Sequence, residues 1–299
     1  MAQHYLIEAT RLSRPLGLRV PLNKCPNCDV ENALHEHLCE CGWSLGYPNV
    51  RQALQADEIA ALHARTNSAA KAAISLGTQL QLAAFTDHVR KSVAVVGRDI
   101  GTLDSLSRSD SNFYVSFHRQ VRAGVRAPKD NQWDKIRPQV DAAMFPYYES
   151  EILFALLSLD DVGDTHYGTF FITLKDRMIE LRASVFESNS LEFAEKRGFR
   201  LAAPVPAGYR ATWAARHELA MAKLHKQIGP ATKPEDHQNI LLDLSGATAE
   251  FIEVHIFGKL GISSIAKVTG VTPMSREDKA LWKSVRARLE KRGIDVQER

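Results

Sequence analysis

The sequence lacks any apolar run close to the roughly 18 to 20 residues that a membrane-spanning helix requires. Its first 20 residues are interrupted by Glu8, Arg11, Arg14 and Arg19 and contain no apolar core of a signal peptide. Two common nucleotide-binding loops, Gly-x-Gly-x-x-Gly after a strand and Gly-x-x-x-x-Gly-Lys-Ser/Thr, are also missing. These absences argue against export and against a doubly wound sheet, so we expect a cytoplasmic protein without a membrane partner.

Charge of one sign is not in excess either. The chain has 38 Lys and Arg against 35 Asp and Glu, a net charge of +3. That balance permits an acidic partner without indicating one. With 299 residues, of which 44% are apolar, the chain is long enough for one large domain or two ordinary domains with their own cores.

Cysteine occurs in one short run only, at Cys25, Cys28, Cys39 and Cys41. Two close pairs of this kind bring four deprotonated sulfurs to one tetrahedral centre, which predicts a structural zinc ion. The second pair is Cys-x-Cys where ribbons usually have Cys-x-x-Cys, so His37 is an alternative ligand. Two disulfides or four free thiols are the alternatives to a metal site, although reduced cysteines on zinc agree with a cytoplasmic protein.

The Cys-Pro-Asn-Cys run, followed by Asn32 and Cys39, resembles short bacterial zinc ribbons and Ran-binding-protein-type zinc fingers. The resemblance covers this short segment alone. It implies an adaptor module that recognises nucleic acid or protein, or that only folds a terminus.

Along the rest of the chain, the residue pattern changes once, from helix-like to strand-like. Residues 50–100 are rich in Ala, Leu and Gln with apolar residues at three- and four-residue steps, which predicts helices divided at Gly77 and Gly97. The polar stretch 105–112 indicates a domain boundary. Beyond it we predict strands at residues 113–118, 168–175, 180–186 and 251–257, and helices at residues 148–157, 213–228 and 279–292. The predicted fold class is α+β, with a zinc-ribbon module (1–49), a helical segment (50–110) and an α+β domain that ends in a helix (111–299).

Three segments of the last part follow a pattern known from one family. They are Tyr-Gly with a strand (residues 167–176), Arg-Ala-Ser-Val-Phe with a Ser-Asn-Ser turn (182–190), and a strand with two glutamates and a histidine (250–260). In this order they resemble the central part of bacterial ADP-ribosyltransferase-like domains. The resemblance implies a split, mixed β-sheet that holds NAD+ as substrate, transfer of ADP-ribose to an acceptor, and release of nicotinamide.

Glu253 is the candidate catalytic residue. Breaking the bond between ribose and nicotinamide builds oxocarbenium character, and a nearby carboxylate stabilises that charge and orients or deprotonates the nucleophile. Glu253 lies centrally in the apolar run 251–257, where an unpaired carboxylate is costly to bury unless it faces a cleft. The alternatives are an outward-facing strand glutamate at this position and the neighbouring Glu250, which suits a solvated strand end better.

Candidates for binding the pyrophosphate of NAD+ are His118 and Arg119, at the end of the first predicted strand. The alternative is a solvated basic face made of Arg119, Arg122 and Arg126. Ser184 is a candidate to hold the glutamate or the ribose through its hydroxyl, with Arg182 on the same face.

Tyr167 and Phe186 are candidates to stack on nicotinamide, although aromatic residues in strands more often belong to the core. Tyr147 and Tyr148 are the second choice. We interpret Asn189 and Ser190 as turn formers that end the strand before them.

Two functions follow. The first is an NAD+-dependent ADP-ribosyltransferase of toxin or defence type, and the second is a non-catalytic zinc-ribbon adaptor with a degenerate transferase-like domain. Lys24, Arg51 and the arginines before the ribbon predict a basic fringe that binds an acidic acceptor such as DNA or RNA. Acceptor choice is expected in loops such as residues 197–209.

Overall fold

A computed structural model describes residues 22–128, 130–197, 205–246 and 248–299. The expectations for residues 1–20, among them the arginines before the ribbon, lie outside the described residues, as does most of the predicted acceptor loop. Across the described ranges, no helix has the length and apolar character needed to cross a membrane.

The described chain forms short and long helices around one large sheet. The helices are α1 (Pro48–Ala53), α2 (Ala56–Leu76), α3 (Gln79–Arg90), α4 (Ile100–Arg108), α5 (Phe117–Arg122), α6 (Gln132–Met144), α7 (Asp176–Ile179), α8 (Ser190–Lys196), α9 (Arg216–Leu224), α10 (His237–Leu241) and α11 (Arg276–Lys291). The strands are β1 (Leu22–Lys24), β2 (Glu31–Ala33), β3 (Val93–Arg98), β4 (Phe113–Tyr114), β5 (Ile152–Ser158), β6 (Phe170–Leu174), β7 (Ala183–Phe186), β8 (Arg210–Thr212), β9 (Glu253–Phe257), β10 (Leu260–Gly261), β11 (Ile265–Gly270) and β12 (Asp295–Glu298).

Eight strands make the large sheet, in the order β12-β11-β6-β3-β5-β9-β7-β8. All neighbours are antiparallel except β11 and β12, which are parallel. The sheet is therefore mixed, and helices cover it, which confirms the predicted α+β class. Two further pairs, β1 with β2 and β4 with β10, lie outside it.

The sheet opens in its middle. Strand β3 pairs with β5 only over Val93–Val95, and its second half pairs with β6 alone. On the other side of the opening, Ile152–Ala155 of β5 pair with β9 and have no partner on β3 among the described residues. Hydrogen bonds therefore join the two halves of the sheet at one end, and the strands diverge at the other.

The two faces of the sheet differ. Successive side chains of a strand point to opposite faces. Val254 and Ile256 of β9 therefore lie on one face of the sheet, and Glu253 and His255 lie on the other. The first face carries a continuous core with side chains of α2, α3, α4, α9 and α11. The second face carries two smaller apolar clusters, one around Phe186 and one around Leu156. Glu253 lies between them, because its cross-strand neighbours are Phe186 on β7 and Leu156 on β5.

Several predicted elements are confirmed, one is wrong and two are correct only in part. Strands β6, β7 and β9 and helix α11 lie where the sequence predicted them. The predicted helix at 148–157 is largely strand β5, and the predicted helical segment 50–110 contains strand β3 in the centre of the sheet. Strands β3 and β5 are short continuous apolar runs, and periodicity alone does not separate such a run from a buried helix.

The first predicted strand, 113–118, is also wrong beyond Tyr114. The hydroxyl of Ser116 accepts a hydrogen bond from the backbone N–H of Arg119 at 3.2 Å and so caps helix α5. His118 and Arg119 are consequently helical residues and not the end of a strand.

Candidate active site

The candidate active site is a polar group on the second face of the sheet. Strand β9 contributes Glu253 and His255, and the turn into α8 contributes Asn189 and Ser190. Helix α6 and the start of α5 lie against the same face, and a short 3₁₀ turn (Thr165–Tyr167) approaches from the β6 side of the opening. The site therefore joins elements from both halves of the sheet.

Glu253 is only 6% exposed, so the outward-facing alternative is wrong. Its Oε2 accepts hydrogen bonds from the backbone N–H of Ser190 at 3.1 Å and lies 2.9 Å from Nε2 of His255. The imidazole of His255 is itself buried, edge-on to Phe145 at 4.8 Å between ring centroids. These contacts satisfy Oε2 and fix the orientation of the buried carboxylate.

Tyr167 reaches toward Glu253 from the opposite half of the sheet. Its hydroxyl accepts a hydrogen bond from Nδ2 of Asn189 at 2.9 Å, and its side chain is still 39% exposed. Burial of the hydroxyl, and then the negative charge of Glu253, raise the pKa of Tyr167, so the phenol is neutral near pH 7. A partly open aromatic ring beside a fixed carboxylate is suited to a planar ligand.

A glycine makes the position of Tyr167 possible. Gly168 has φ +137°, and a Cβ there would lie 2.3 Å from the carbonyl carbon of Arg98 on β3. Any other residue would push the turn away from the strand. The Tyr-Gly pair of the sequence pattern thus brings the tyrosine close over β3.

A second acid and base pair lies near Glu253, on helices α5 and α6. Asp141 of α6 is fully buried, and its Oδ2 is 2.8 Å from Nε2 of His118 and 3.8 Å from the guanidinium of Arg137. Burial raises the pKa of Asp141; His118 and Arg137 oppose the rise, and the charge of Glu253 adds to it. The guanidinium of Arg137 also lies over the ring of Phe154, at 5.1 Å from its centroid.

The structure brings together only part of the predicted set. Glu253, Tyr167 and His118 belong to this group, but Arg119 is turned to Glu151, with which it forms an ion pair. Ser184 accepts a hydrogen bond from the amide of Asn49 at 3.2 Å. Arg182 donates to the backbone carbonyls of Met178, Phe257 and Lys259, so its guanidinium supports the chain.

The neighbouring candidate Glu250 lies near the site in a different environment. It is partly exposed and pairs with Lys196 at 2.6 Å and Lys223 at 3.5 Å. This is the solvated carboxylate at a strand end that the sequence favoured. Phe186 and Tyr148 are buried in the apolar cluster of this face and are core residues.

Sequence reasoning missed Arg137, Asp141 and His255, and assigned Asn189 and Ser190 to a turn only. Asn189 does cap α8, since its side chain accepts from the backbone N–H of Leu191, but it also holds Tyr167. A signal for His255 was present: residues two apart on an alternating strand share a face, so His255 had to lie beside Glu253. Nothing in the sequence pairs residues 118 and 141.

The four cysteines form a compact cluster. Their sulfurs all lie within 4.8 Å of one another, with 3.7 Å between Cys25 and Cys41 and 3.6 Å between Cys28 and Cys39. These separations are too long for disulfides and close to the about 3.8 Å edge of a tetrahedral zinc–thiolate site. The donor set fits a single zinc ion.

His37 is not part of that cluster. Its ring stacks on Tyr47 at 5.2 Å with an interplanar angle of 10°, and both rings contact Phe257 at the end of β9. Both cysteines of the Cys-x-Cys pair therefore belong to the cluster, and His37 does not. His37 instead joins the ribbon to the strand that carries Glu253.

Of the predicted basic fringe, Lys24 and Arg51 lie among the described residues, and both contact other groups of this chain. Lys24 pairs with Asp29 at 2.9 Å, and Arg51 donates to ribbon carbonyls, including those of Glu36 at 2.9 Å and Leu45 at 3.0 Å. Residues 22–46 contain one lysine against four acidic residues, a net charge of −3 with histidines neutral. The described ribbon surface is therefore acidic, which disfavours contact with a phosphate backbone.

No family model matches the sequence, and no curated protein matches it. Among solved structures, the chain is similar to Thermus sp. 2.9 DarT in complex with NAD+, at 9% sequence identity and a TM-score of 0.36. The similarity covers 69% of this chain and 94% of that chain. A TM-score of 0.36 lies below the level that defines a shared fold, so the site rests on the distances described above.

Proposed function

We propose that this protein is an NAD+-dependent ADP-ribosyltransferase in which Glu253 stabilises the transition state. The observation that carries the proposal is the carboxylate of Glu253, buried at the polar group between two apolar clusters and held by His255 and Ser190. The sequence resemblance to ADP-ribosyltransferase-like domains supports the same reaction.

The chemistry requires a fixed negative charge where positive charge develops. As the bond to nicotinamide breaks, the ribose becomes oxocarbenium-like, and a carboxylate that is already oriented stabilises it without reorganisation. The hydrogen bonds to Glu253 Oε2 supply that orientation. Burial among Phe145, Phe186 and Leu156 excludes water and strengthens the interaction.

Arg137 is the cation we propose for the pyrophosphate of NAD+. It is largely buried, beside the opening of the sheet, and its guanidinium is held over Phe154 and within 3.8 Å of Asp141. The exposed part of the Tyr167 ring is the surface we propose for nicotinamide. Arg119, paired with Glu151, is less suited to either role.

We further propose one structural zinc ion on Cys25, Cys28, Cys39 and Cys41. A structural zinc contributes folding free energy mainly to its own small module. Here that module contacts β9 through His37, Tyr47 and Phe257, so the ribbon is a support for the strand that carries Glu253.

The acceptor we propose is a macromolecule, nucleic acid or protein. Nucleic acid finds no support in the described ribbon, whose charge is negative. The non-catalytic adaptor is the competing proposal, and nicotinamide release from NAD+ separates the two.

The test is release of nicotinamide from NAD+ by the purified full chain. Glu253→Gln is nearly isosteric but cannot supply the charge, and loss of one preorganised electrostatic group typically costs about 100- to 1,000-fold in rate. Glu250→Gln is the matched control, because the same change is made three residues away on a carboxylate that already pairs with lysines.

We expect Glu253→Gln to lose release while binding NAD+ with affinity close to that of the wild type, and Glu250→Gln to stay active. An active Glu253→Gln protein beside an inactive Glu250→Gln protein would move the catalytic role to Glu250. Wild-type protein that releases no nicotinamide with any acceptor would favour the adaptor.

A further inference from the structure

The pair formed by His118 and Asp141 has the geometry of a base with its positioning carboxylate. Nε2 of His118 lies 2.8 Å from Oδ2 of Asp141, and the carboxylate is fully buried. A carboxylate at this distance accepts the Nε2–H, which leaves the lone pair on Nδ1. Nδ1 has no hydrogen-bond partner among the described residues, and the ring is 15% exposed.

The surroundings favour this role over a purely structural one. A structural buried pair normally satisfies all of its polar atoms, yet Oδ1 of Asp141 has no partner within the described part of the chain. The charged groups near the pair are Arg137 on α6, the ion pair of Arg119 with Glu151, and Glu253 on β9. The charge of Glu253 acts on Asp141, so the pair on the helices lies near the carboxylate of β9.

We propose that His118 is the general base for the acceptor, positioned by Asp141, and that the acceptor is a nucleophile with a proton to lose, a hydroxyl or an N–H group. This inference rests on the proposed ADP-ribosyl transfer. It separates two tasks, because Glu253 stabilises the ribose and His118 activates the incoming group. A carboxylate acceptor has no proton to lose and gains nothing from such a base.

The proton of the acceptor passes to Nδ1 of His118, and the freed lone pair forms the bond to C1′ of the ribose. The bond from C1′ to the pyridinium nitrogen breaks with its electron pair going to the ring, which leaves as neutral nicotinamide. The products are the ADP-ribosylated acceptor, nicotinamide and one proton on His118, which the solvent takes up.

Two nucleophiles that differ in their need for a base provide the test. Water must lose a proton when it attacks C1′, whereas the azide anion attacks without losing one. The full chain is incubated with NAD+ in water alone and with added sodium azide, and nicotinamide and azido-ADP-ribose are quantified. Each reaction is run with the wild type, His118→Gln, Asp141→Asn and Glu253→Gln.

His118→Gln keeps a donor for Asp141 and removes the basic nitrogen. We expect its reaction with water to fall about 100-fold or more, the usual contribution of a general base, and azide to restore nicotinamide release toward the wild-type rate. Asp141→Asn should show a smaller loss that azide also restores. Glu253→Gln should not be restored, because both nucleophiles need its charge and glutamine leaves no room for azide.

His63→Gln is the control, since His63 is an exposed residue of α2, and it should match the wild type with both nucleophiles. His118→Asn replaces His118→Gln if circular dichroism shows that the latter is unfolded. The inference alone is overturned if the water reaction survives in the His118 variant, or if azide fails to restore it while the wild type remains active. Absence of nicotinamide release from the wild type with both nucleophiles overturns the proposed transferase as well.

Discussion

Asn49 connects the segment after the ribbon to β7 and to β9, the strand that carries Glu253. Its side chain is 1% exposed, and its Nδ2 lies 3.1 Å from the carbonyl of Arg182, 3.2 Å from the hydroxyl of Ser184 and 3.0 Å from the carbonyl of His255. An amide has two hydrogens, so three acceptors share two donors. We expect a change of this amide to a carboxylate, Asn49→Asp, to destabilise the protein.

The magnitude follows from those contacts. Asn49→Ala removes two to three hydrogen bonds at about 1 kcal/mol each, so we expect the free energy of unfolding to fall by about 2 to 3 kcal/mol. Asn49→Asp does more, since it places an oxygen without hydrogen against three oxygens in a buried site. An uncompensated buried charge typically costs about 3 to 5 kcal/mol.

The free energy of unfolding of Asn49→Asp should also depend on pH. Burial without donors raises the pKa of the new carboxyl in the folded state above its unfolded value. The variant therefore loses further stability as pH rises through that range and recovers part of it on acidification. Urea unfolding followed by circular dichroism, at neutral and mildly acidic pH, measures both effects.

The matched control is Gln139→Glu, the same amide-to-carboxylate change at an exposed position of α6. Exposed substitutions of this kind usually change stability by less than about 0.5 kcal/mol. An Asn49→Asp protein within about 1 kcal/mol of the wild type would refute the role given to Asn49.

Two further predictions concern the ribbon and a histidine pair. Protein purified without chelator should carry one zinc per chain by elemental analysis, and Cys25→Ser should lose it while circular dichroism of the large sheet persists; metal-free wild type would contradict this. Burial, and then the nearby His88, lower the pKa of His237 below its usual 6.5, so stability present above about pH 6.5 should be lost on acidification. Urea melts at pH 7.5 and 5.5 should show that loss in the wild type and a smaller one in His237→Gln; equal pH dependence would remove His237 as the cause.

The sequence located the groups whose chemistry is local. Spacing alone singled out the four cysteines, since short pairs separated by a hairpin bring sulfurs together whatever the rest of the chain does. Alternation on 251–257 also contained the signal that His255 lies beside Glu253, because side chains of a strand alternate by covalent geometry. Strand β6 and helix α11 were also predicted, because their residue patterns are long enough to identify a strand and a helix.

Short apolar runs were where sequence reasoning failed. Ile152–Ser158 and Val93–Arg98 have no periodicity that separates a strand buried on both faces from a buried helix. Their assignment depends on hydrogen-bond partners that are distant in sequence. Both became central strands, and they are the pair between which the sheet opens.

Tertiary structure alone decided the composition of the candidate site. His118 and Asp141 come from two helices, Tyr167 from a turn that Gly168 allows close to β3, and Glu253 from a strand far along the chain. The sequence determined which side chains with acid, base and metal-binding chemistry exist and which of them are neighbours along one strand or hairpin. Which of them meet across the opening of the sheet depends on packing between elements, because burial and hydrogen-bond partners are properties of the folded chain and not of any local segment.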